Sequence, residues 1–420
     1  MPETTNQSKF LINLLKKGST IVGGFLYLVI STRYLGPSLR GEYMYLVNTV
    51  SLLTTILIFG ISSIIPYHAR NKFQKVSVDE FYSISITQLI ISLFLAILFL
   101  MFGSQKGAII LIMTAVAVFS TQINNISLIT DFTGNAIAYI TSAIINVVLI
   151  IIASLIAQPS LYAVIIIWII KNTIIAAILL RRANISLVKP NIKWIKLYGS
   201  SALPMITIML VDLNYRIGVL LMKPLGISDY QIGIYTIGVT IAQYTWIISD
   251  IFKDVLLNEN SNSRNLSLTN RYLRLSFSII SALLLLLAIV GNWLFPLLFG
   301  TDFSKSYAIT LSIIIAVPFM SHTKLLSTLF QAENKWIIYF KIMTVSTLLN
   351  IALCLSLTKS LGVYAISIAT GTSYLISGIL STLYYARTYD QFFFSLFIVN
   401  KGDLLIGRDL FRNLYSKATH

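Results

Sequence analysis

Apolar runs follow one another along this chain at intervals too short for anything but a bundle of membrane-crossing helices. A helix that crosses the hydrocarbon core needs about 20 mostly apolar residues. Twelve such runs can be marked, at residues 10–33, 43–65, 81–103, 107–130, 136–157, 160–180, 197–222, 231–252, 272–299, 306–330, 336–358 and 361–385. The eighth is the weakest, interrupted by Gln243 and Asp250, while Pro204 and Pro318 sit inside spans where they can kink a helix. Only 11% of the 420 residues are charged and mean hydropathy is +0.81. A soluble domain carries about 25% charged residues, so a water-soluble core is excluded and the fold class is an all-α polytopic membrane protein. The polar start MPETTNQSK leads straight into a long first span and reads as no cleavable signal peptide.

The net charge of +16 invites a nucleic-acid reading, but the Lys and Arg residues lie mostly between apolar runs and form no single patch. Their distribution sets orientation instead, because Lys and Arg are retained on the cytoplasmic side. Twenty-one of them, from Lys9, Lys16 and Lys17 through the 66–80, 181–196 and 253–271 connections to Lys417, fall on one side. Six, namely Arg33, Arg40, Lys106, Lys223, Lys305 and Lys359, fall on the other. Both termini are predicted to be cytoplasmic, which requires an even number of spans, and all exterior loops are short. The tail, residues 386–420, holds QFFFSLFIV, too short to cross, then an amphipathic LLIGRDLFRNLY expected to lie on the inner membrane surface. One cysteine, Cys354, allows no internal disulfide, and three histidines build no His-rich metal site.

The chain reads as two related halves. After the first span comes RYLGPSLRGEY, residues 33–43; after the seventh comes KPLGISDYQIGIY, residues 223–235. Each has a basic residue, Leu-Gly two positions on, a short turn, then Gly-x-Tyr opening the next span. Six spans return the chain to its starting side, so the repeats are parallel. The expected domains are an N-terminal lobe, 1–190, a C-terminal lobe, 191–385, and the tail.

At these residues the chain resembles the Wzx-type polysaccharide and O-antigen flippases of the multidrug/oligosaccharidyl-lipid/polysaccharide exporter superfamily. The likeness rests on RYLGP (33–37) with GEY (41–43), LNYRI (213–217), GIYTIG (233–238), LFPLLFGTDF (294–303) and LGVYAISIAT (361–370). Many relatives carry an acid two residues after the span-seven arginine; here that position is Gly218, and any role of that acid does not carry over. The resemblance implies two six-helix lobes forming a V-shaped alternating-access bundle. It implies an undecaprenyl-diphosphate-linked oligosaccharide, an O-antigen or capsule repeat unit, as substrate, with the bacterial inner membrane as location. Membrane lipids and a polysaccharide polymerase are the partners it suggests, with no cofactor, metal or nucleic acid and no enzymatic chemistry.

Ionisable residues inside spans are costly, about 2.5–3.5 kcal/mol at the centre on insertion scales, and face a cavity or a partner. The candidates are Lys16, Lys17, Lys171, Arg216, Lys324 and Lys341 against the acids Asp212 and Asp250. A cavity so lined attracts an anion, and a diphosphate is one. Lys171 lies mid-span, too deep to snorkel easily. Asp212 and Arg216 are four residues apart on one helix face, either as a self-neutralising pair or with Arg216 free to fork onto phosphate. Lys324 and Lys341 lie nearer the cytoplasmic end and can snorkel, as can Lys16 and Lys17. Span one lines up Lys16, Thr20, Gly23, Tyr27 and Ser31 on one face, and span eight Thr236, Thr240, Gln243 and Asp250. These stripes line a cavity or serve helix–helix packing. Tyr27, Tyr215 and Gln243 are the candidates for contact with sugar. A drug/cation antiporter of the same fold would need an acidic cavity, and a membrane polymerase or ligase a large exterior loop.

Overall fold

The computed structural model describes residues 6–61, 65, 77–183, 185–190, 192–262, 265–400 and 402–403. Among these there are thirteen α-helices and no strand. That is the expected outcome in lipid, where every backbone group must find its partner within its own segment. α1 (Asn6–Ile58) covers the first two predicted spans as one 53-residue helix, broken only at Gly36, whose φ of 65° and ψ of 175° are non-helical. The exterior loop expected at 34–42 is therefore a kink. Arg40, assigned above to that loop, is instead only 3% exposed, with its Nη1 3.5 Å from the Ser31 hydroxyl. Its neighbours in sequence also pack inward, since Tyr34 and Tyr43 sit in a core cluster with Val50 and Val164.

α2 (Val78–Met101) opens on a capping box in which Ser77 and Glu80 each take the other's backbone N–H. α3 (Gln105–Thr130), α4 (Phe132–Ile156) and α5 (Leu161–Arg182) follow. Between α3 and α4, Asp131 caps Gly134 N and is gripped by Arg182 at the end of α5, 2.6 Å away. That hydrogen bond, chiefly, holds the Asp131 carboxyl below its ordinary value. α6 (Ile192–Met222) is the seventh span, with Pro204 inside a continuous helix.

Two later spans are broken. α7 (Asp229–Tyr244) and α8 (Ile247–Asn262) meet at 47°, making the eighth run a bent pair. α9 (Leu266–Phe299) is a single helix of 34 residues with Pro296 near its end. α10 (Ser306–Ile313) and α11 (Val317–Ala332) meet at 64°, with Pro318 opening the second arm. α12 (Trp336–Leu361) and α13 (Val363–Thr388) complete the set. Among the described residues, nine helices are each long and apolar enough to cross a membrane. Counting the arms of α1 on either side of Gly36 separately, and each bent pair once, gives the twelve predicted spans. The chain is a multi-pass membrane protein.

The helices sort into two compact units, Met1–Gly233 with Leu298–Asp302, and Ile234–Leu297 with the residues from Phe303 onward. In the first, α1 packs on α4 and α6, and α2 on α3. In the second, α11, α12 and α13 form a core of small polar residues. Ser367, Ser373, Ser377 and Ser381 on α13 are all buried, and Thr323 meets Ser381 across the seam at 3.2 Å. Without a hydrophobic gradient between helices in lipid, such small residues let backbones approach and hydrogen-bond. The tail continues this unit: a short turn, Phe393–Leu396, buries Leu396 and stacks Phe397 on His322 at 4.7 Å. The amphipathic stretch 404–415 lies outside the described residues.

Candidate functional site

The predicted ionisable residues separate into three settings in the first unit and two in the second. Asp212 and Arg216, a turn apart on α6, form an ion pair with Nε 3.0 Å from Oδ1. The pair does not stand alone. Thr55 on the second arm of α1 donates to the other carboxylate oxygen at 2.8 Å, and Arg216 Nη1 donates to Asn48 Oδ1 at 3.2 Å. Asn48 and Thr55 are seven residues apart and so share a helix face. The four side chains stitch α1 to α6, and the Arg216 side chain is still 28% exposed. Asp212 is fully engaged; Arg216 keeps part of its fork available. Asn48 and Thr55 were absent from the sequence prediction, although two polar residues at that spacing in an apolar run were a readable signal.

Lys171 stands apart from that network. It is half-buried on α5, on the side carrying buried Ile167 and Ile175 and away from exposed Ile166. Among the described residues it has neither an ion-pair nor a hydrogen-bond partner. The neighbouring Asn172 is occupied, accepting from Ser120 on α3.

Lys16 takes a third setting. Its ammonium donates to Asn135 Oδ1 on α4 at 2.5 Å and lies over the Tyr139 ring at 4.8 Å. Fully buried Asn135 in turn donates to Asn124 Oδ1 and Ser127 Oγ of α3, each at 2.7 Å. Gly23, on the same stripe, faces the Ala143 side chain of α4. At Lys16 and Gly23 the span-one stripe is thus a packing seam. Tyr27 packs against the Tyr34–Tyr43 cluster, and Lys17 and Tyr215 are half-buried on α1 and α6.

In the second unit Lys324 is neutralised. Its ammonium lies 2.7 Å from Asp250 Oδ1 and 4.9 Å over the Trp246 ring, joining α11 to the bend between α7 and α8. Gln243 donates to the Tyr374 hydroxyl at 2.9 Å. Lys341 is the other candidate of this unit. It is exposed on the face of α12 that also presents Ile337, Val345 and Leu348, and it lies in the second turn, where a lysine facing lipid snorkels to the interface.

The repeat motifs meet in the first unit. A side chain on Gly41 would strike the Asp229 carbonyl and the Gly233 amide, and one on Gly233 would strike the Pro37 carbonyl. The two Gly-x-Tyr openings are glycine because their backbones touch.

This helical order is shared by solved transporters. An inward-facing multidrug resistance MATE family transporter of the MOP superfamily superposes with a TM-score of 0.66 at 13% identity, covering 88% of this chain and 94% of its own. The chain has the fold of the MOP-superfamily transporters. The lipid II flippase MurJ in an inward closed conformation matches with a TM-score of 0.63 at 14% identity over 90% of this chain and 87% of its own. A MOP transporter from Pyrococcus furiosus matches at 0.60 and 14% identity over 94% and 99%. No protein-family model and no curated protein matches the chain. At these identities the likeness to MOP transporters is one of fold.

Proposed function

We propose that the protein is a flippase. It moves an undecaprenyl-diphosphate-linked oligosaccharide, an O-antigen or capsule repeat unit, from the cytoplasmic to the outer leaflet of the bacterial inner membrane by alternating access. The observation that carries this reading is Lys171, an intramembrane cation on an inward-facing side of α5 with no partner among the described residues. A lysine so placed is maintained for an anion, and the partly exposed fork of Arg216 adds a second group that recognises phosphate oxygens. The resemblance to Wzx-type flippases supports the substrate class, and the likeness in fold to a lipid II flippase supports it as well.

Outward movement of an anion is downhill in a cell with a negative interior, by about 2.3 kcal/mol per charge per 100 mV. The rival of the same fold is a drug/cation antiporter. Cationic cargo calls for a carboxylate with free oxygens, and Asp212 has both of its oxygens occupied. The Pyrococcus furiosus transporter, described as having a binding pocket of reverse polarity that suggests a different function, supports polarity as the property that separates the two.

The test is reconstitution. Proteoliposomes carrying the full chain should translocate a fluorescent lipid-linked oligosaccharide, and Lys171→Ala should slow this at least about tenfold, the equivalent of 1.4 kcal/mol, with Lys171→Arg retaining most of it. Transport of a cationic dye without movement of the lipid-linked sugar would reject the reading.

A further inference from the structure

One face of α9 carries two sites end to end. Arg271, Arg274, Phe277, Ser281, Leu284 and Ala288 recur every three or four residues and so form a single stripe. At the head of the stripe is a pocket of about 460 Å³ walled by Asn265, Ser267, Arg271 and Arg274. One turn further along is an apolar groove of about 300 Å³, walled by Phe277, Leu284, Leu285, Ile315 and Phe319. The groove opens at the 64° break between α10 and α11, among side chains such as Leu285 and Ile315 that are 65% and 73% exposed. In a membrane protein such side chains face acyl chains. At 1.5 Å per residue the 34 residues of α9 span about 51 Å against a hydrocarbon core of about 30 Å, so one end reaches the headgroup layer. The charged end, with Arg271 and Arg274, is that end.

The tail already borders both sites with matching chemistry. Asp403, 4% exposed, accepts from Arg274 Nε at 2.6 Å and Nη2 at 2.7 Å, and Arg271 Nη2 reaches the Gly402 carbonyl at 2.9 Å. Six residues earlier, the Phe397 ring lies 5.0 Å from Phe277 and 5.6 Å from Phe319, two walls of the groove. An acid on two guanidinium groups and an apolar group at the groove reproduce the order of groups in an anionic lipid. Two arginines against one carboxylate leave the pocket one positive charge in excess.

We propose that the Arg271–Arg274 pair and the adjoining groove are a binding site for an anionic phospholipid, with Asp403 holding the place of its phosphate and exchanging with it. A phosphodiester offers two oxygens to the same forks, and its chain fills the groove beside which Phe397 packs. The tail is then a displaceable stopper on the second unit whose release is set by the lipid around it. This inference stands independently of the flippase reading.

The experiment is native mass spectrometry of the purified full chain with equal phosphatidylglycerol and phosphatidylcholine. The wild type should retain phosphatidylglycerol in preference. Asp403→Asn should raise its retention by about tenfold, within the range of ordinary coupling between competing ligands. Arg271→Gln with Arg274→Gln should bring it down to the phosphatidylcholine level. Leu285→Trp, which fills the groove and leaves the Asp403 clamp intact, should lower retention of both lipids, so the proposal is tested even if the tail variants fold poorly. Unchanged preference in the double glutamine variant, or unchanged retention in both Asp403→Asn and Leu285→Trp, would overturn it.

Discussion

Asp212 has two oxygens and two donors, one from its own helix and one from α1. Its placement makes it a joint between helices as well as a counter-ion. Asp212→Asn leaves Arg216 with an uncompensated charge and Thr55 with a weaker acceptor, and should destabilise the protein by about 1–3 kcal/mol. The measurement is the thermal unfolding midpoint in detergent together with membrane abundance. Loss of pH-dependent transport at unchanged stability would instead make Asp212 a proton carrier. Arg216→Lys should keep the pair while losing the bidentate fork, and so lower transport more than stability. The i, i+4 spacing of Asp212 and Arg216 was legible from the sequence because it is local. Asn48 and Thr55 were not paired with them, since nothing in a linear pattern says which helix crosses α6. The same holds for Lys324, whose neutralising Asp250 lies 74 positions away across the bend of the eighth span.

At the scale of elements, hydrophobic runs located the helices, and the breaks within them followed from particular residues. Gly36 alone adopts φ > 0 inside α1, which lets two spans join through a kink in place of a loop. The paired motifs around Gly41 and Gly233 were legible as repeats, but their mutual contact was not. Leucine at either position must push two backbones apart, and overpacking of this kind costs about 1–3 kcal/mol. Gly41→Leu and Gly233→Leu should each lower the unfolding midpoint by several degrees. Gly18→Leu, where a side chain meets nothing within 4 Å, should leave it unchanged. Equal effects at the three glycines would mean that the close approach does not govern stability.

For the whole molecule, the asymmetry of loop charge is the organising quantity. It predicts cytoplasmic termini and a cytoplasmic side for residues 181–196 and 253–271. Reporter fusions after residues 105, 158, 303 and 359 should read outside, and those after 190, 262 and 390 inside; an exterior C-terminus would overturn the orientation. With that orientation the Arg271–Arg274 pocket is expected at the inner leaflet, where anionic lipids would meet it.

Membrane insertion, the positions of the apolar runs and the candidate charges were determined by the sequence itself, because hydropathy and helical period are properties of neighbouring residues. Tertiary structure alone decided that Arg40 is buried, that Lys16 serves a seam with α4, that Lys324 is neutralised and that Lys171 meets no ion-pair partner among the described residues. The physical reason is that lipid gives apolar helix faces no preference among partners. Pairing is settled by small residues and scattered hydrogen bonds between positions far apart in the chain, and these leave no periodic mark.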